Sequence, residues 1–302
     1  MLDLRRLELL REVELRGSMA AAARALGVSS SAISQQLGKL EQEMGAQLLE
    51  QAGRNVRLTP LAQRLTRRVD EVVAMLSDAE AEVEQARHRV QGVVRFAGFS
   101  TFALRFLPDI VERVAASLPD VVLEFSQLEP TDAVDAVIGR RADIAVADEF
   151  PQIPRKADPT VSRTLLTRDD IEVYTPHPVA SLADLADVCW AMEPVGSDAR
   201  AWATRICREA GFEPVVRFES PDPRVHYELA LTGLAAAFLP GMAFDSPALP
   251  HARPPHRVDA PLFAPDLHRE VYAVTRRGGQ TRPAVAGVVK VLAAVCADVA
   301  KT

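Results

Sequence analysis

The sequence predicts a mixed architecture: α+β in a small N-terminal part, α/β in a larger C-terminal part, and one long helix between them. Three observations carry this. Residues 1–60 hold helix-length apolar patterns with a glycine break before the third, then two short apolar segments about a Gly-Arg-Asn turn. Residues 61–90 repeat apolar positions at spacings of four and three without a break. From residue 91 onward, strand-like runs alternate with helix-like runs.

Composition narrows the function. A chain of 302 residues leads us to expect about two domains. With 48% hydrophobic and 25% charged residues it is a core-forming globular protein. The formal net charge of −6 excludes a general polyanion binder, so nucleic-acid contact must come from a local patch. Cys189, Cys207 and Cys296 are too few for a disulfide framework and suit a reducing compartment. The N-terminal "MLDLRRLELLREVE" alternates charge with leucine and has no signal-peptide core. The apolar stretches 229–244 and 285–296 are interrupted by Thr232, Gly233 and Pro240, and by Lys290. Neither suits a membrane span. A cytoplasmic location without membrane partners is expected.

Leu4, Leu7, Leu10 and Val13 recur at helical spacing, Gly17 stops that helix, and Ser18 is placed to cap the next. The alanines of residues 20–26 make a short helix that lets a neighbour approach closely. Gly27 supplies a turn and Ser29 a cap. The next helix carries Ile33, Leu37, Leu40 and Met44 on one stripe. Ser31, Gln35, Gly38 and Gln42 lie opposite, with Ser34 beside them. A face without bulky apolar groups can enter a DNA major groove, with the N-terminal residues at base edges. An ordinary solvated face is the plain alternative. The helix–Gly turn–helix spacing weighs for the groove, and it makes Ser30, Ser31, Ser34 and Gln35 the candidate base contacts.

"QLLEQAGRNVRLT" reads as a hairpin about Gly53-Arg54-Asn55, in the position of a winged helix's wing. Arg54 at its tip and Arg57 beside it are candidates for phosphate or the minor groove. Leu65, Val69, Val72, Leu76, Ala79, Val83, Ala86 and Val90 then form a sustained four-three seam. That predicts a long helix and a dimer.

In the body, "GVVRFAGF", "VVLEFSQL", "ADIAVAD", "IEVYTP", "VCWAME", "VVRFES", "LAAAFLP" and "EVYAVT" read as strands, with helices between most of them and a terminal helix from residue 283. The alternation predicts a mostly parallel sheet. The Pro/His-rich 246–261 reads as a loop, with His251 and His256 solvated rather than metal-bound.

The head, "AAAARALGVSSSAISQQLGKLEQEMGAQLLEQAGRNVRLT", resembles the LysR-type transcriptional regulators in motif order and spacing. It departs from the family at Ser30-Ser31, where a Gln-Pro pair is usual, and at Met19, Ala20 and Leu49. Further on, "LPDIVERVAASLPDVVLEF" and "RRADIAVAD" are collinear with the family's effector domain. The resemblance implies a winged helix-turn-helix over residues 1–60, a dimerising linker helix over 61–90, and a two-lobed periplasmic-binding-protein-like effector domain over 91–302. Lobe one would be 91–163 with 270–302, and lobe two 164–269. It further implies operator DNA and a small organic effector as partners, and a homodimer that assembles into a tetramer.

Ligands of open α/β sheets sit beyond the carboxyl ends of strands. This nominates Ser100, Thr101, Gln127, Glu129 and Asp148 in lobe one, and Gly196, Ser197, Ser220, Asp222 and Gly241 in lobe two. Ser100 and Thr101 begin a helix whose free N–H groups suit an acceptor, so a polar or anionic effector is expected. Arg200 and Arg224 read as solvated. No GxGxxG, GKS, GKT, HExxH or GxSxG occurs, so neither enzyme chemistry nor a cofactor or metal is expected. The resemblance leaves open a thiol-switched or ligand-independent regulator. The three cysteines, in apolar surroundings, read as inert.

Overall fold

The computed structural model describes residues 2–52, 55–86, 90–151, 153, 158–244, 254–258 and 267–299. The head is built from α1 (Leu4–Arg16), α2 (Met19–Leu26), α3 (Ser30–Met44) and a hairpin of β1 (Leu49–Ala52) and β2 (Asn55–Leu58). Its boundaries have local causes. The Ser18 hydroxyl accepts from the Ala21 N–H at 3.2 Å, and the Ser29 hydroxyl from the Ala32 N–H at 3.1 Å. Between them Gly27 takes φ 67°, which L side chains rarely adopt. Leu10, Ile33, Leu37, Leu40 and Leu48 are fully buried against Ala22 and Ala23 of α2. Truncating such a leucine to alanine costs roughly 2–5 kcal/mol.

The long helix α4 (Pro60–Ala86) starts with Thr59, whose hydroxyl accepts from the Ala62 N–H. Its apolar stripe has two environments. Val69 is buried and Leu65 partly so against the head core, whereas Val72, Met75 and Leu76 are 43%, 62% and 45% exposed. The side chains of Val83 and Ala86, predicted for the same seam, lie outside the described residues.

The body comprises β3 (Gly92–Gly98), α5 (Ser100–Ser117), β4 (Val121–Gln127), α6 (Pro130–Ile138), β5 (Ile144–Glu149), β6 (Val161–Tyr174), β7 (Cys189–Met192), α7 (Asp198–Glu209), β8 (Val215–Glu219), α8 (Pro223–Leu231), β9 (Ala236–Pro240), β10 (His268–Arg276) and α9 (Pro283–Val299). The strands form one sheet in the order β4-β3-β5-β10-β6-β9-β7-β8. The expected mostly parallel sheet is mixed. β3 runs parallel to β4 and β5, and β7 to β8 and β9, but the central β10 is antiparallel to β5 and β6, and β6 to β9. β6 also begins ten residues earlier than "IEVYTP" suggests, because its polar first half is ordered by the ladder with β10.

β6 and β10 carry the chain between two lobes with separate cores. Phe96, Phe102, Ile110, Val288 and Leu292 centre the first. Trp190, Trp202, Leu185 and Cys207 centre the second. The strand ends of both lobes face a common cleft. Among the described residues, no helix is long and apolar enough to cross a membrane.

Candidate functional site

α3 presents a two-sided surface. Its stripe of Ile33, Leu37 and Leu40 is buried, and Ser30, Ser31, Ser34 and Gln35 are exposed. The Ser29 and Ser31 hydroxyls lie 3.0 Å apart at the helix start. Lys39, one turn beyond Gln35, is also exposed and adds a cation to this side. The sequence reading passed over it. Arg57 is exposed but held by Glu50 across the hairpin, with Nη2–Oε1 at 2.8 Å. Such a surface pair contributes about 0–1 kcal/mol, so a phosphate can displace it. Arg54 lies outside the described residues.

At the cleft, Arg269 of β10 is buried and joins both lobes. Its Nη1 donates to Asp148 Oδ2 at 3.0 Å, its Nη2 to the Thr101 hydroxyl at 2.9 Å, and its Nε to Asp169 Oδ2 at 2.9 Å. Asp169 Oδ1 accepts from the Met242 N–H at 3.0 Å, and the guanidinium lies 4.8 Å from the Phe99 ring centre. The neighbouring carboxylates hold Arg269 charged against the cost of its burial.

Above Arg269 lies a cavity of about 250 Å³. Of the predicted effector residues, Ser100, Thr101, Glu129, Asp148 and Ser197 line it. Gln127, Gly196, Ser220, Asp222 and Gly241 are not on its wall. Thr101 is fully buried, and its hydroxyl is engaged by Arg269. The sequence reading missed Glu193, Asp198, Thr131, Phe150 and Arg269. A smaller, deeper space of about 40 Å³ adjoins it, walled by Met192, Trp202, His226 and Phe238.

The charge here runs against the expected anionic effector. Burial first, then Asp148 and Glu129, push the Glu193 carboxyl up to about 7, with Arg269 and the Ser197 hydroxyl opposing. Glu129 reaches solvent, yet partial desolvation and then Asp148, Asp132 and Asp222 raise its pKa too. Arg200 is turned elsewhere, its Nη1 donating to the Glu193 main-chain carbonyl at 3.0 Å and to Glu219 at 2.9 Å. Arg224 is exposed and off the cavity wall.

The helix α6 stands between this cavity and the head. Pro130 and Thr131 at its start line the cavity. At its far end Asp135 pairs with Arg16 of α1, and Arg140 with Glu8 at 3.2 Å. Arg141 Nη2 donates to the Ala25 carbonyl at 2.5 Å, satisfying one of the carbonyls that the end of α2 leaves open. Gly139 eases this approach, since a Cβ there would sit tightly, 3.3 Å from the Ala25 carbonyl and 3.2 Å from that of Asp135.

Comparison with known proteins gives a consistent picture. Residues 87–297 match the family model of the LysR substrate binding domain, and residues 4–63 that of the bacterial regulatory helix-turn-helix protein, lysR family. The transcriptional dual regulator GltC of Bacillus subtilis (strain 168) is 26% identical over 289 residues, 93% of each chain. The HTH-type transcriptional regulator ShiR of Corynebacterium glutamicum (strain R) is 28% identical over 251 residues, 80% of this chain and 81% of its own. A full-length OxyR point variant from Pseudomonas aeruginosa superposes with a TM-score of 0.60 at 21% identity, covering 98% of this chain and 95% of that one. Full-length CbnR, crystallised with its target DNA, gives 0.52 at 20% identity over 97% and 99%. At these identities the structural likeness is one of fold.

Proposed function

The chain belongs to the LysR family of bacterial regulators, and from that premise we propose that it reads its operator through the exposed face of α3 and answers to a small organic molecule held between its two lobes. It is a DNA-binding transcriptional regulator, not an enzyme. Its parts follow the division 1–60, 61–90 and 91–302, with lobe one at 91–163 and 270–302 and lobe two at 164–269.

The observation that carries the reading is α6, which walls the cavity at one end and seats the head at the other. A ligand acts on DNA binding only by favouring one arrangement of lobes and head, and such coupling is typically about 1–3 kcal/mol. On the DNA, Ser30, Ser31, Ser34 and Gln35 meet base edges, while Arg54, Arg57 and Lys39 meet phosphates or the minor groove. Support comes from the exposure of these α3 side chains and from CbnR, which has been crystallised on its target DNA.

Family members act as oligomers. Here the exposed Val72, Met75 and Leu76 of α4 form the dimer seam, with effector domains pairing dimers into a tetramer. A thiol-switched alternative finds less support. Burial pushes the Cys207 and Cys296 thiols up to about 12, so neither is a thiolate at neutral pH.

The test is a metabolite screen by thermal shift, followed by titration of each hit with and without operator DNA. We expect at least one hit whose affinity changes when operator is bound, and by the same factor as it changes operator affinity. Hits whose affinity ignores DNA would sink the regulatory half of the reading.

A further inference from the structure

The cleft is acidic around a cation that is already spent. Glu129, Asp148, Glu193 and Asp198 line the 250 Å³ cavity. Among the described residues on that wall, Arg269 is the cation, and its donors are directed to Asp148, Asp169 and Thr101. Asp148 and Asp169 already exceed its single charge by one, and Glu129, Glu193 and Asp198 add further carboxyl groups on the cavity wall. The N-terminus of α5 would favour an anion. It amounts to roughly half an elementary charge, set against the Glu129 carboxyl and a Glu193 carboxyl, raised to about 7, that an entering cation would ionise.

Glu193 stands on the wall of both the outer cavity and the inner space. Below it the surroundings become apolar. Trp202 lies 5.2 Å from Phe150 and 5.4 Å from Phe238 between ring centres, and Met192 completes the floor. His226 is on the same wall, 4% exposed, with Nε2 buried and lacking a hydrogen-bond partner among the described residues. Leaving a buried polar nitrogen unsatisfied is costly, so this inner space is not purely apolar. The combination of carboxylates above and aromatic faces below favours a positive charge attached to an apolar group. The outer cavity, at about 250 Å³, is roomy enough for one ring, since a cavity of about 150 Å³ accepts benzene, whereas the inner space of about 40 Å³ is too small for one.

We propose that the molecule recognised between the lobes is a small organic ammonium ion, its head between Glu193 and Glu129 and its apolar substituent in the outer cavity against Phe99 and Phe150. This rests on the reading of the cleft as the regulatory ligand site.

The experiment uses the full chain and matched trios that differ only in the head group: 2-phenylethylamine, 2-phenylethanol and phenylacetate, then butylamine, butanol and butyrate. Binding is read by calorimetry, and operator affinity by gel shift with and without each compound. We expect an amine to bind at least tenfold tighter than its alcohol and carboxylate partners, and Glu193→Gln to weaken that amine at least tenfold. Glu129→Gln serves the same purpose should Glu193→Gln fold poorly, and it should weaken the amine severalfold. Carboxylates binding in preference to amines, and more tightly still to Glu193→Gln, would overturn the ammonium class while leaving the cleft as the ligand site. Neither amine binding would overturn it as well. An amine bound at unchanged affinity by both variants would place it elsewhere. Tight amine binding with unaltered operator affinity would support the ammonium site but sink its regulatory role.

Discussion

Arg16 of α1 and Asp135 of α6 meet side chain to side chain, tying the DNA-reading head to the helix that walls the ligand cavity. The pair is mostly buried and stands beside Glu12, itself buried and 3.5 Å from Arg16 Nε. Arg140–Glu8 and Arg141–Ala25 flank it, so the contact holds the head at three points.

Asp135→Ala should therefore uncouple ligand from DNA. Ligand affinity in the absence of DNA should stay within twofold, because Asp135 is off the cavity wall. The factor by which operator changes that affinity should fall toward one. Calorimetry with and without operator measures both. A retained coupling factor would remove α6 from the pathway.

At the DNA, Gln35→Ala should cost about 1–3 kcal/mol of operator affinity and leave non-specific binding almost unaltered, as base readout requires. Lys39→Ala should weaken both and make the salt dependence shallower by about one unit of log–log slope. Filter-binding titrations across salt concentrations separate the two behaviours. If Gln35→Ala lowers both affinities alike, the assignment of α3 as the base-reading helix fails.

The pH dependence follows from Glu193, whose carboxyl is raised to about 7 among Asp148, Glu129, Arg269 and the Ser197 hydroxyl, with Asp198 and His226 on the same walls. Between its ordinary value of 4.5 and about 7 the folded state holds a proton that the unfolded chain releases. Glu193 therefore lowers stability as pH rises through that window, and contributes no further change above it. His226, held down by burial, acts with the opposite sign over its own range. The difference between wild type and Glu193→Gln in urea unfolding isolates the carboxyl, and should grow from pH 5 to pH 7 in favour of the variant. An ammonium ligand favours the ionised carboxylate, so its binding at pH 6 should release protons, as calorimetry in buffers of different ionisation enthalpy will read.

The seam of α4 gives the fourth prediction. Val72→Asp with Leu76→Asp places charges where Val72 and Leu76 are now exposed on one helix stripe. The variant should remain folded, since neither side chain is buried in its own chain, and should sediment as a monomer with reduced operator affinity. An unchanged sedimentation profile would place the dimer contact elsewhere.

Local features were legible in the sequence, and long-range ones were not. Ser18, Gly27 and Ser29 mark helix boundaries because caps depend on neighbours three residues away or fewer. The cleft was half legible. "VCWAME" reads as a strand through Glu193, but β7 ends at Met192, so the strand-end rule passed over Glu193 for Gly196 and Ser197. Arg269 carries no local mark at all. It is buried because Asp169 and Asp148 meet it from 100 and 121 positions away, and only the crossing of β6 and β10 brings them together. The first half of β6 escaped for the same reason.

That crossing has a mechanical consequence. Arg269 is anchored to Thr101 and Asp148 on one side and to Asp169 on the other, like a rivet through two plates. An opening of the cleft would part Arg269 from Thr101 and Asp148, while its pair with Asp169, directly opposite on the β6–β10 ladder, would stay. The guanidinium would keep a counter-charge throughout, so the motion costs hydrogen bonds and not a stranded charge. What opening would release is the Asp148 carboxylate and the Thr101 hydroxyl, both on the cavity wall, for a ligand to engage.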